Sequence, residues 1–423
     1  MTPIFNQHKL HFDVLRTAAL RAVDPAAAVR RSLSARDFAD AKRVFVVGAG
    51  KAAFAMTEAV NDILSDRLTA GVVSVPVPPT RTYKQITFIV GGHPVPNAGS
   101  IATGQAMADL LAQTIDGDLV IALISGGGSA LLELPQPGLS LADLQNTTDA
   151  LLKCGATIHE INCIRARLSQ LKGGGLARLA YPARVLGLIL SDVVGNSLDV
   201  VASGPTVPLA SSTAEARAIV DKYRLQSVLP IAVLKCLKQQ TTDDTSAYPS
   251  PRTVENRLIA CNRLAGEAAA AAAKELGYEC FFLADDWQGE AREVGGRFAQ
   301  LLIDRAGHGT KCYVVGGETT VTVRGNGKGG RNQEAALAAA IAVAGRPNIA
   351  LAAFATDGVD GPTDAAGAVV TGDTVRRAGL LGLDPRRYLD DNNAYPFFSA
   401  LSDLIVTGPT GTNVNDLLFG LVY

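Results

Sequence analysis

The sequence predicts an α/β protein that is divided into two domains. A chain of 423 residues is too long for one hydrophobic core. Apolar runs of strand length alternate with alanine-rich segments of helix length in both halves of the chain. A polar run with two prolines, 241–251, lies between these halves and is typical of a domain boundary. The predicted domains are therefore residues 1–245 and 252–423.

Composition and charge exclude several classes of protein. The formal net charge is −1, so the sequence predicts no binding to nucleic acid or to an anionic membrane. Six cysteines without metal-ligand spacing favour a reduced chain, which we expect in the cytoplasm. The first residues do not resemble a signal peptide, and no apolar run approaches the ~20 residues of a membrane span. We expect a monomer or a homodimer.

The first half begins with one or two helices over 7–32 and then alternates strands with helices. Its glycine turns and polar helix faces carry the candidate chemistry. The predicted strands are 43–47, 71–77, 86–90, 118–124 and 185–190, and the predicted helices are 99–114, 157–172, 212–225 and 228–238.

A glycine turn, Gly48-Ala49-Gly50-Lys51-Ala52-Ala53, joins the strand at 43–47 to a helix. A strand, a tight glycine turn and a helix form a common phosphate-binding arrangement. The turn also matches the dinucleotide fingerprint G-x-G-x-x-A, but the strand at 71–77 lacks the expected acid at its end. The positive charge of Lys51 lies at the positive end of the helix dipole, which is unfavourable. An anionic partner for Lys51 is therefore favoured over the alternative of a solvated surface lysine.

A second turn, Ser125-Gly126-Gly127-Gly128-Ser129-Ala130, follows the strand at 118–124. A tight turn explains one or two glycines, whereas three glycines and two serines favour an anion-binding turn. Asp192 follows the strand at 185–190, where an acid is costly unless it is paired or catalytic, so it is a candidate general base. His93 is either a general base or a side chain that fixes its Gly/Pro loop.

The predicted helix 157–172 carries a polar stripe. Asn162, Arg165, Ser169 and Lys172 lie at i, i+3, i+7 and i+10, beside an apolar face. A polar helix face is usually only solvated. Two cations, an amide and a hydroxyl nevertheless favour a binding site for a small carboxylate.

In the second half, the stretch 315–334 combines an apolar strand, Glu318, six glycines and a helix that opens at Arg331. Dense glycines and a helix start favour an anion site over the alternative of a long hairpin loop. Other predicted strands are 258–260, 280–283, 349–355 and 404–406, and the predicted helices are 262–276, 290–304 and 331–344. The loop 356–364 contains Asp357, Asp360 and Asp364, which indicate either a Mg²⁺ site or Asx-turn chemistry.

Taken in order, these motifs resemble the glycerate 2-kinase family, whose C-terminal part is the MOFRL domain. One departure is Asn196, where the family commonly has an aspartate. The matching stretches are 48–52, 125–130, 162–176, 191–193, 203–206, 316–319, 329–334, 356–358 and 412–416.

The resemblance implies a fold and an activity. The fold is an N-terminal Rossmann-like parallel sheet with helices on both faces and a smaller C-terminal α/β domain with a mixed sheet, which contains a MOFRL domain at about 311–418. The active site is expected in the cleft between them. The activity is ATP-dependent phosphorylation of D-glycerate at its 2-hydroxyl with Mg²⁺. The family's lysine and arginine fall on Lys51 and Arg331, which we expect to face each other across the cleft.

The resemblance and phosphoryl-transfer chemistry together suggest roles for these residues. Lys51 and Arg331 stabilise the transferring group, and Asp192 orients or deprotonates the 2-hydroxyl. Asn162, Arg165 and Lys172 bind glycerate. Mg²⁺ is held by Asp357 with Glu318 or Asp360. The ATP phosphates are expected at Gly48, Gly50, Ser125, Gly126, Gly127, Gly128, Ser129, Gly329 and Gly330.

Two other functions remain open at this point. One is an NAD(P)H-dependent hydroxypyruvate reductase, which the G-x-G-x-x-A turn favours and the missing ribose-binding acid opposes. The other is a binding module for a sugar acid or a nucleotide without catalysis, which the polar groups at several strand ends oppose.

Overall fold

The structure, a computed structural model, describes residues 4–208, 211–239, 253–307 and 309–423. It consists of two compact units. The N-terminal unit is Pro25–Ile259, and the C-terminal unit is Met1–Asp24 together with Ala260–Tyr423. This division differs from the predicted ranges because the first helix belongs to the C-terminal unit. The predicted boundary at 241–251 lies outside the described residues.

The described residues form seventeen α-helices and twelve strands. None of these helices is long and apolar enough to cross a membrane. The helices are α1 (His8–Ala22), α2 (Pro25–Ser32), α3 (Ala35–Phe38), α4 (Ala53–Leu64), α5 (Ala98–Leu111), α6 (Gly128–Leu131), α7 (Leu141–Lys153), α8 (Ile158–Leu168), α9 (Gly175–Ala180), α10 (Thr213–Lys222), α11 (Ile231–Gln239), α12 (Asn262–Glu275), α13 (Ala291–Asp304), α14 (Arg331–Ala342), α15 (Thr374–Leu380), α16 (Pro385–Asp390) and α17 (Ala394–Leu401). The strands are β1 (Val44–Ala49), β2 (Leu68–Val75), β3 (Ile86–Val90), β4 (Leu119–Ile124), β5 (Arg184–Leu190), β6 (Val254–Ala260), β7 (Glu279–Glu290), β8 (Lys311–Thr320), β9 (Ile349–Ala355), β10 (Gly367–Thr371), β11 (Leu404–Ile405) and β12 (Asp416–Val422).

The N-terminal unit is built on a six-stranded sheet in the order β3-β2-β1-β4-β5-β6. The pairs from β3 through β5 are parallel. Every residue of β1 and β4 is buried, so both faces of the sheet are covered. Phe45 and Val120 pack with α5 and α9, while α4 contacts β1, β2 and β4. This arrangement confirms the predicted Rossmann-like sheet with helices on both faces.

The strand order places a ligand-binding position in this sheet. The chain moves outward from β1 to β2 and β3, and in the opposite direction from β4 to β5 and β6. The carboxyl ends of β1 and β4 therefore form a topological switch point, where open α/β sheets bind ligands. The two glycine turns follow the carboxyl ends of β1 and β4, and Asp192 follows that of the neighbouring strand β5.

The C-terminal unit has a mixed sheet in the order β11-β10-β9-β12-β8-β7. The β7–β8 pair is parallel and the other four pairs are antiparallel. Helices α13 and α14 contribute to a core with β8, β9 and β10. Phe12 of α1 stacks on Phe419 of β12, and α1 packs against α12. The predicted mixed sheet is confirmed.

Residues 8–32 form two helices, α1 and α2, which is one of the two predicted alternatives, because Pro25 starts a new helix. Another element differs from the sequence prediction. The predicted helix 157–172 ends at Leu168, because Gln170 donates its N–H to Leu134 and Ser169 pairs with Pro135. Lys172 therefore does not lie on the helical stripe with Asn162.

Strands β10 and β12 were not predicted. Both contain glycine, which weakens the local preference for a strand, so their pairing with β9 decides it. β12 nevertheless lies in the middle of the sheet, between β8 and β9.

The packing of α1 on the C-terminal unit predicts a large effect of Phe12→Ala. Phe12 is 3% exposed, whereas Leu10 on the same helix is 61% exposed. We expect Phe12→Ala to lower the free energy of unfolding of this unit by roughly 3–5 kcal/mol, because it leaves a cavity. Leu10→Ala should change it by less than about 0.5 kcal/mol. Fluorescence of Trp287, the single tryptophan of the chain, reports urea unfolding of this unit. Equal losses in the two variants would contradict this packing.

Candidate functional site

The two glycine turns of the N-terminal unit are bonded to each other. The N–H of Lys51 donates to the carbonyl of Gly126 at 2.9 Å, and the N–H of Ala52 donates to Oγ of Ser125 at 3.1 Å. A Cβ atom on Gly50 would lie 2.0 Å from Oγ of Ser125, so only glycine allows this approach. The N–H groups of Lys51 and Ala52 in the first turn are therefore hydrogen-bonded to the second turn.

This finding changes the predicted role of Gly48 and Gly50. Both were expected to bind phosphate through a main-chain cradle. A Cβ on Gly48 would lie 3.1 Å from Cβ of Leu123, so close packing within the sheet favours glycine at this position. The geometry accounts for both glycines without a ligand, and of the first turn it is the side chain of Lys51 that is exposed to solvent.

The glycines of the second turn bring three side chains together. A Cβ on Gly126 would lie 1.8 Å from Oδ2 of Asp192, and one on Gly127 would lie 2.8 Å from the ring of His93 and 3.4 Å from Cγ of Lys51. Asp192, His93 and Lys51 thus surround one turn. A Cβ on Gly128 would likewise meet Ala202 at 2.8 Å.

Lys51 is the exposed cation of this group. Its ammonium has no ion-pair partner within the parts of the chain that the structure describes. Desolvation of the His93 ring lowers the pKa of that histidine, and the nearby charge of Lys51 lowers it further. His93 is therefore a neutral imidazole at pH 7. An anion at this position would meet the unpaired charge of Lys51 and no competing carboxylate from the first turn.

A hydrogen-bonded chain of two hydroxyls and an amide lies beside the second turn. Oγ of Ser129 and Oγ of Ser203 are 2.7 Å apart, and Oγ of Ser203 donates to Oδ1 of Asn162 at 2.8 Å. Asn162 is 7% exposed, and its Nδ2 has no partner among the described residues. A buried donor without a partner is costly, so this amide N–H is available to a ligand or to a water molecule.

Ser203 lies on a strained backbone segment. Ala202 and Ser203 have positive φ angles of 51° and 61°, although neither is glycine. The N–H of Gly173 donates to the carbonyl of Ser203 at 3.0 Å, which holds the segment in place. Such strain is concentrated at functional sites. Ser203 lies in the family-like stretch 203–206, and no local sequence signal marks its strain.

Arg165 supplies a second cation without an ion-pair partner among the described residues. Its Nη2 donates to the carbonyl of Ser129 at 3.0 Å. Burial lowers its pKa, and the charge of Glu133 opposes this effect. A guanidinium in this setting has N–H groups available for a carboxylate.

Lys172 does not present its charge to solvent. Its side chain is 1% exposed, and its ammonium is paired with the carboxylate of Glu133. Burial lowers the pKa of Lys172 to about 8, and Glu133 opposes the shift. The sequence analysis assigned Lys172 to the substrate and did not identify Glu133. The structure places Lys172 in a buried ion pair, so a ligand could reach its ammonium only if that pair opened.

In the C-terminal unit, Arg331 is held by two carboxylates. Its Nη1 lies 2.7 Å from Oε1 of Glu318, and its Nε lies 2.7 Å from Oδ2 of Asp416. Nη2 also donates to Oδ1 of Asp416 at 3.0 Å. Burial raises the pKa of Asp416 to about 7, while Arg331 and Asn332 oppose the shift. Asp416 was quoted only within a matching stretch, and the sequence analysis gave it no role.

Asp360 caps the N-terminus of α14. Its Oδ1 accepts from the N–H of Asn332 at 3.0 Å, and its Oδ2 accepts from the N–H of Gln333 at 2.8 Å. Asp360 is buried, and burial raises its pKa. Both oxygens therefore bond to the helix that was expected to attract a phosphate. The structure gives Asp360 a capping role, which accounts for this acid without a metal ion.

The glycine-rich loop 324–330 is bonded to the turn 391–393. The N–H groups of Arg324 and Gly325 donate to Oδ1 of Asn392, and the N–H groups of 326–328 donate to residues 391 and 393. A Cβ on Gly330 would lie 2.3 Å from Cγ of Asp360, and one on Gly329 would lie 3.2 Å from the nitrogen of Ala394. Close packing thus explains Gly329 and Gly330, which were predicted to bind phosphate.

The predicted Mg²⁺ ligands do not form a complete site by themselves. No group of three His, Cys, Asp or Glu side chains in the described residues could hold a metal ion. Oδ1 of Asp357 accepts from the N–H of Val359 at 3.1 Å, as in an Asx turn. The side chain of Glu318 is 42% exposed. One or two carboxylates are nevertheless sufficient for Mg²⁺ that arrives on substrate phosphates.

The buried Asp416 predicts an unusual pH dependence of stability. Its folded pKa is raised from 3.8 to about 7, so stability is lost as pH rises through this range. Asp416→Asn removes that loss. We expect the free energy of unfolding of the variant, relative to the wild type, to increase by about 2–3 kcal/mol between pH 5 and pH 8.

Urea unfolding followed by Trp287 fluorescence measures this difference. The matched control is Asp304→Asn, at an exposed acid of the same unit, which should show no such increase. A pH-independent difference for Asp416→Asn would contradict the raised pKa.

Comparison with known proteins identifies the family. The model described as a domain of unknown function, DUF4147, matches residues 11–238, and the MOFRL family model matches residues 311–416. The chain is 39% identical to the D-glycerate 2-kinase of Thermotoga maritima over 98% of both chains. It is 38% identical to the glycerate 2-kinase of Pyrococcus horikoshii, over 96% of this chain and 95% of that protein.

Two further similarities bear on fold and function. The crystal structure of the glycerate kinase of Thermotoga maritima matches with a TM-score of 0.90, covering 98% of this chain and 99% of that chain. A protein of Agrobacterium vitis that is named as a hydroxypyruvate reductase is 41% identical over 89% of this chain and 98% of its own length. The full-length matches in sequence and structure agree with the order of the motifs. The chain therefore belongs to the glycerate 2-kinase family.

Proposed function

We propose that this protein is a D-glycerate 2-kinase, which transfers the γ-phosphoryl group of ATP to the 2-hydroxyl of D-glycerate and releases ADP and 2-phosphoglycerate. The observation that carries the proposal is the pair of cations without ion-pair partners in the described residues, Lys51 and Arg165. They belong to one group of side chains that also contains the carboxylate of Asp192. Such a group suits a small carboxylate with a hydroxyl that reacts next to a phosphate. The activity named for the Thermotoga and Pyrococcus relatives supports this choice.

D-glycerate is bound by the residues around the second glycine turn. Arg165 donates to the glycerate carboxylate, and Nδ2 of Asn162 donates to a glycerate oxygen, which satisfies the buried amide. Asp192 accepts the proton of the 2-hydroxyl or orients it for attack. Beside these residues, the ammonium of Lys172 stays paired with the buried carboxylate of Glu133.

The phosphoryl group is stabilised by cations. Phosphoryl transfer needs positioning and charge neutralisation more than covalent chemistry by the protein. Lys51 supplies one charge through its exposed ammonium. Arg331 supplies another, because Glu318 and Asp416 leave N–H groups on its terminal nitrogens for a further acceptor. The predicted cooperation of Lys51 and Arg331 on one phosphoryl group is part of this proposal.

We further propose that ATP acts as its Mg²⁺ complex. Mg²⁺ neutralises phosphate charge in such reactions. The Arg331 cluster, which consists of Arg331, Glu318 and Asp416, has two carboxylates for one guanidinium. It therefore carries an excess of negative charge that suits a cation. Glu318 can face Mg²⁺ with its exposed side chain, and Asp357 is the second candidate ligand. The cytoplasmic location and the monomeric or dimeric state remain predictions.

The name of the Agrobacterium relative favours a second function, reduction of hydroxypyruvate with NAD(P)H. Two features of this chain oppose it. The N–H groups of Lys51 and Ala52 in the first glycine turn are bonded to the second turn, so these two are unavailable to a dinucleotide pyrophosphate. β2 also ends at Val75 without the acid that binds the ribose.

An assay of products separates these functions. We expect D-glycerate to stimulate ADP release, and the organic product to be consumed directly by enolase, which takes 2-phosphoglycerate. A requirement for phosphoglycerate mutase before enolase would indicate 3-phosphorylation and contradict the proposed position. Oxidation of NADH with hydroxypyruvate, without ADP release from ATP and D-glycerate, would establish the reductase instead.

Substitution of the two cations tests their roles. We expect Lys51→Met and Arg331→Ala each to lower kcat by roughly 100-fold or more, since each removes a charge that acts on the transferring group. If both act on one phosphoryl group, the double variant should lose less than the product of the single losses.

Matched controls are Lys84→Met and Arg324→Ala, at exposed cations of the same two units. Both controls should keep kcat within about twofold of the wild type. A near-normal kcat for Lys51→Met or Arg331→Ala would remove that residue from the mechanism.

A further inference from the structure

Arg331 needs an anchor if its guanidinium is to act on a phosphoryl group. The arginine side chain is long and flexible, and a misplaced charge loses most of its effect on a transition state. Its two partners differ in their surroundings. The side chain of Glu318 is 42% exposed, whereas that of Asp416 is 1% exposed. A buried partner with a fixed position holds a guanidinium more firmly than an exposed one.

Asp416 contacts Arg331 through both of its carboxylate oxygens. Oδ1 accepts a hydrogen bond from Nη2 at 3.0 Å, and Oδ2 forms an ion-pair contact with Nε at 2.7 Å. The two contacts together restrict the position of the guanidinium. They also leave the outer N–H groups of the terminal nitrogens directed away from Asp416.

The backbone of Asp416 is fixed on both sides. Asp416 is the first residue of β12 and pairs with Gly317 of β8 and Ala355 of β9. Its carbonyl accepts from Nδ2 of Asn262 at 2.9 Å, and Oδ1 of its side chain accepts from Nδ2 of Asn332 at 2.9 Å. The carboxylate therefore has little freedom to move.

This position is costly for a carboxylate. The charge of Arg331 favours ionisation of Asp416. The buried carboxylate of Asp360 opposes it. Glu318 adds a further negative charge on the other side of the Arg331 guanidinium. A neutral residue of the same shape would avoid these costs. An acid at such a position is typical of a residue that serves function at the expense of stability.

We propose that Asp416 is the positioning residue for Arg331, and that its hydrogen bond and ion-pair contact hold the guanidinium where it meets the transferring phosphoryl group. This inference rests on the proposed kinase function. It adds a role for a residue that does not itself touch the substrate, because its side chain is buried and occupied by Arg331 and Asn332.

The test is the kinetic behaviour of Asp416→Asn, which keeps the shape of the side chain and removes one acceptor and the charge. We expect kcat to fall by roughly 30-fold or more, approaching the loss in Arg331→Ala. The KM for D-glycerate should stay within about twofold, because Arg165 and Asn162 are unchanged. The melting temperature of the variant at pH 8 should equal or exceed that of the wild type. A merely structural role of Asp416 would instead predict a lower melting temperature.

A double-mutant cycle tests whether Asp416 acts through Arg331. In the Arg331→Ala background, Asp416→Asn should change kcat by less than about threefold. The same large factor in both backgrounds would overturn the inference, as would a kcat for Asp416→Asn within about threefold of the wild type. A second variant, Asp416→Glu, keeps the negative charge and should recover more of the wild-type kcat than Asp416→Asn does.

Asp403→Asn is the matched control. Asp403 is also buried and paired with an arginine, Arg377, in the same unit, and it lies outside the Arg331 cluster. We expect it to lower the melting temperature and leave kcat within about twofold. Should Asp416→Asn fail to fold, the Asp416→Glu variant replaces it in the cycle. Because the longer side chain displaces the guanidinium, Asp416→Glu should lower kcat by a larger factor in the wild-type background than in the Arg331→Ala background, and equal factors would overturn the inference.

The outcomes distinguish this inference from the proposed function. Absence of D-glycerate-dependent ADP release in the wild type would overturn both. Wild-type turnover with an unaffected Asp416→Asn variant would overturn only the role of Asp416.

Discussion

The N-terminal unit depends on the contact between two glycine turns at the carboxyl ends of β1 and β4. The N–H of Lys51 bonds to Gly126, and Ser125 accepts from Ala52. This contact joins the two turns at the topological switch point of the sheet and leaves the Lys51 side chain exposed. Because glycine alone permits the approach at Gly50, the sequence signal that indicates phosphate binding is also the signal of tight turn packing.

The charges of the two units are balanced in opposite ways. Beside the second turn, Lys51 and Arg165 are cations without ion-pair partners in the described residues, and the one buried lysine, Lys172, is neutralised by Glu133. Around Arg331, two carboxylates face one guanidinium. Each imbalance is unfavourable in the free protein and is reduced by a ligand of the opposite charge. An anionic substrate and a metal-bound nucleotide together would supply both.

Functional groups in this protein are also held by strain and by burial. Ser203 lies in a left-handed conformation that non-glycine residues rarely adopt. Asp416 is an acid in a buried position that raises its pKa to about 7. Neither feature improves stability. Both place a polar group beside residues that carry the proposed chemistry, as expected where function rather than stability determines the residue.

Much of the fold and part of the site were predictable from the sequence. Strands such as β4 and β9 are continuous apolar runs, and the turns that follow them contain the glycines and polar residues expected at a ligand site. Lys51, Asp192, Asn162 and Arg165 do lie around one turn of the N-terminal unit. The sequence pattern was ambiguous where it had two physical causes. The glycines at 329 and 330 pack against Ala394 and Asp360, and Asp360 caps a helix.

The sequence by itself determined the α/β class, the positions of the glycine turns and the family, because these depend on local patterns and on the order of motifs. Only the tertiary structure decided which polar groups remain available to a ligand. Lys172 lost its predicted place on a helical stripe when residues 169–170 bonded to 134–135. Asp416 gained its position because β12 pairs with strands that are distant in sequence. Hydrogen-bond and ion-pair partners are set by long-range packing, which periodicity and spacing along one chain do not record.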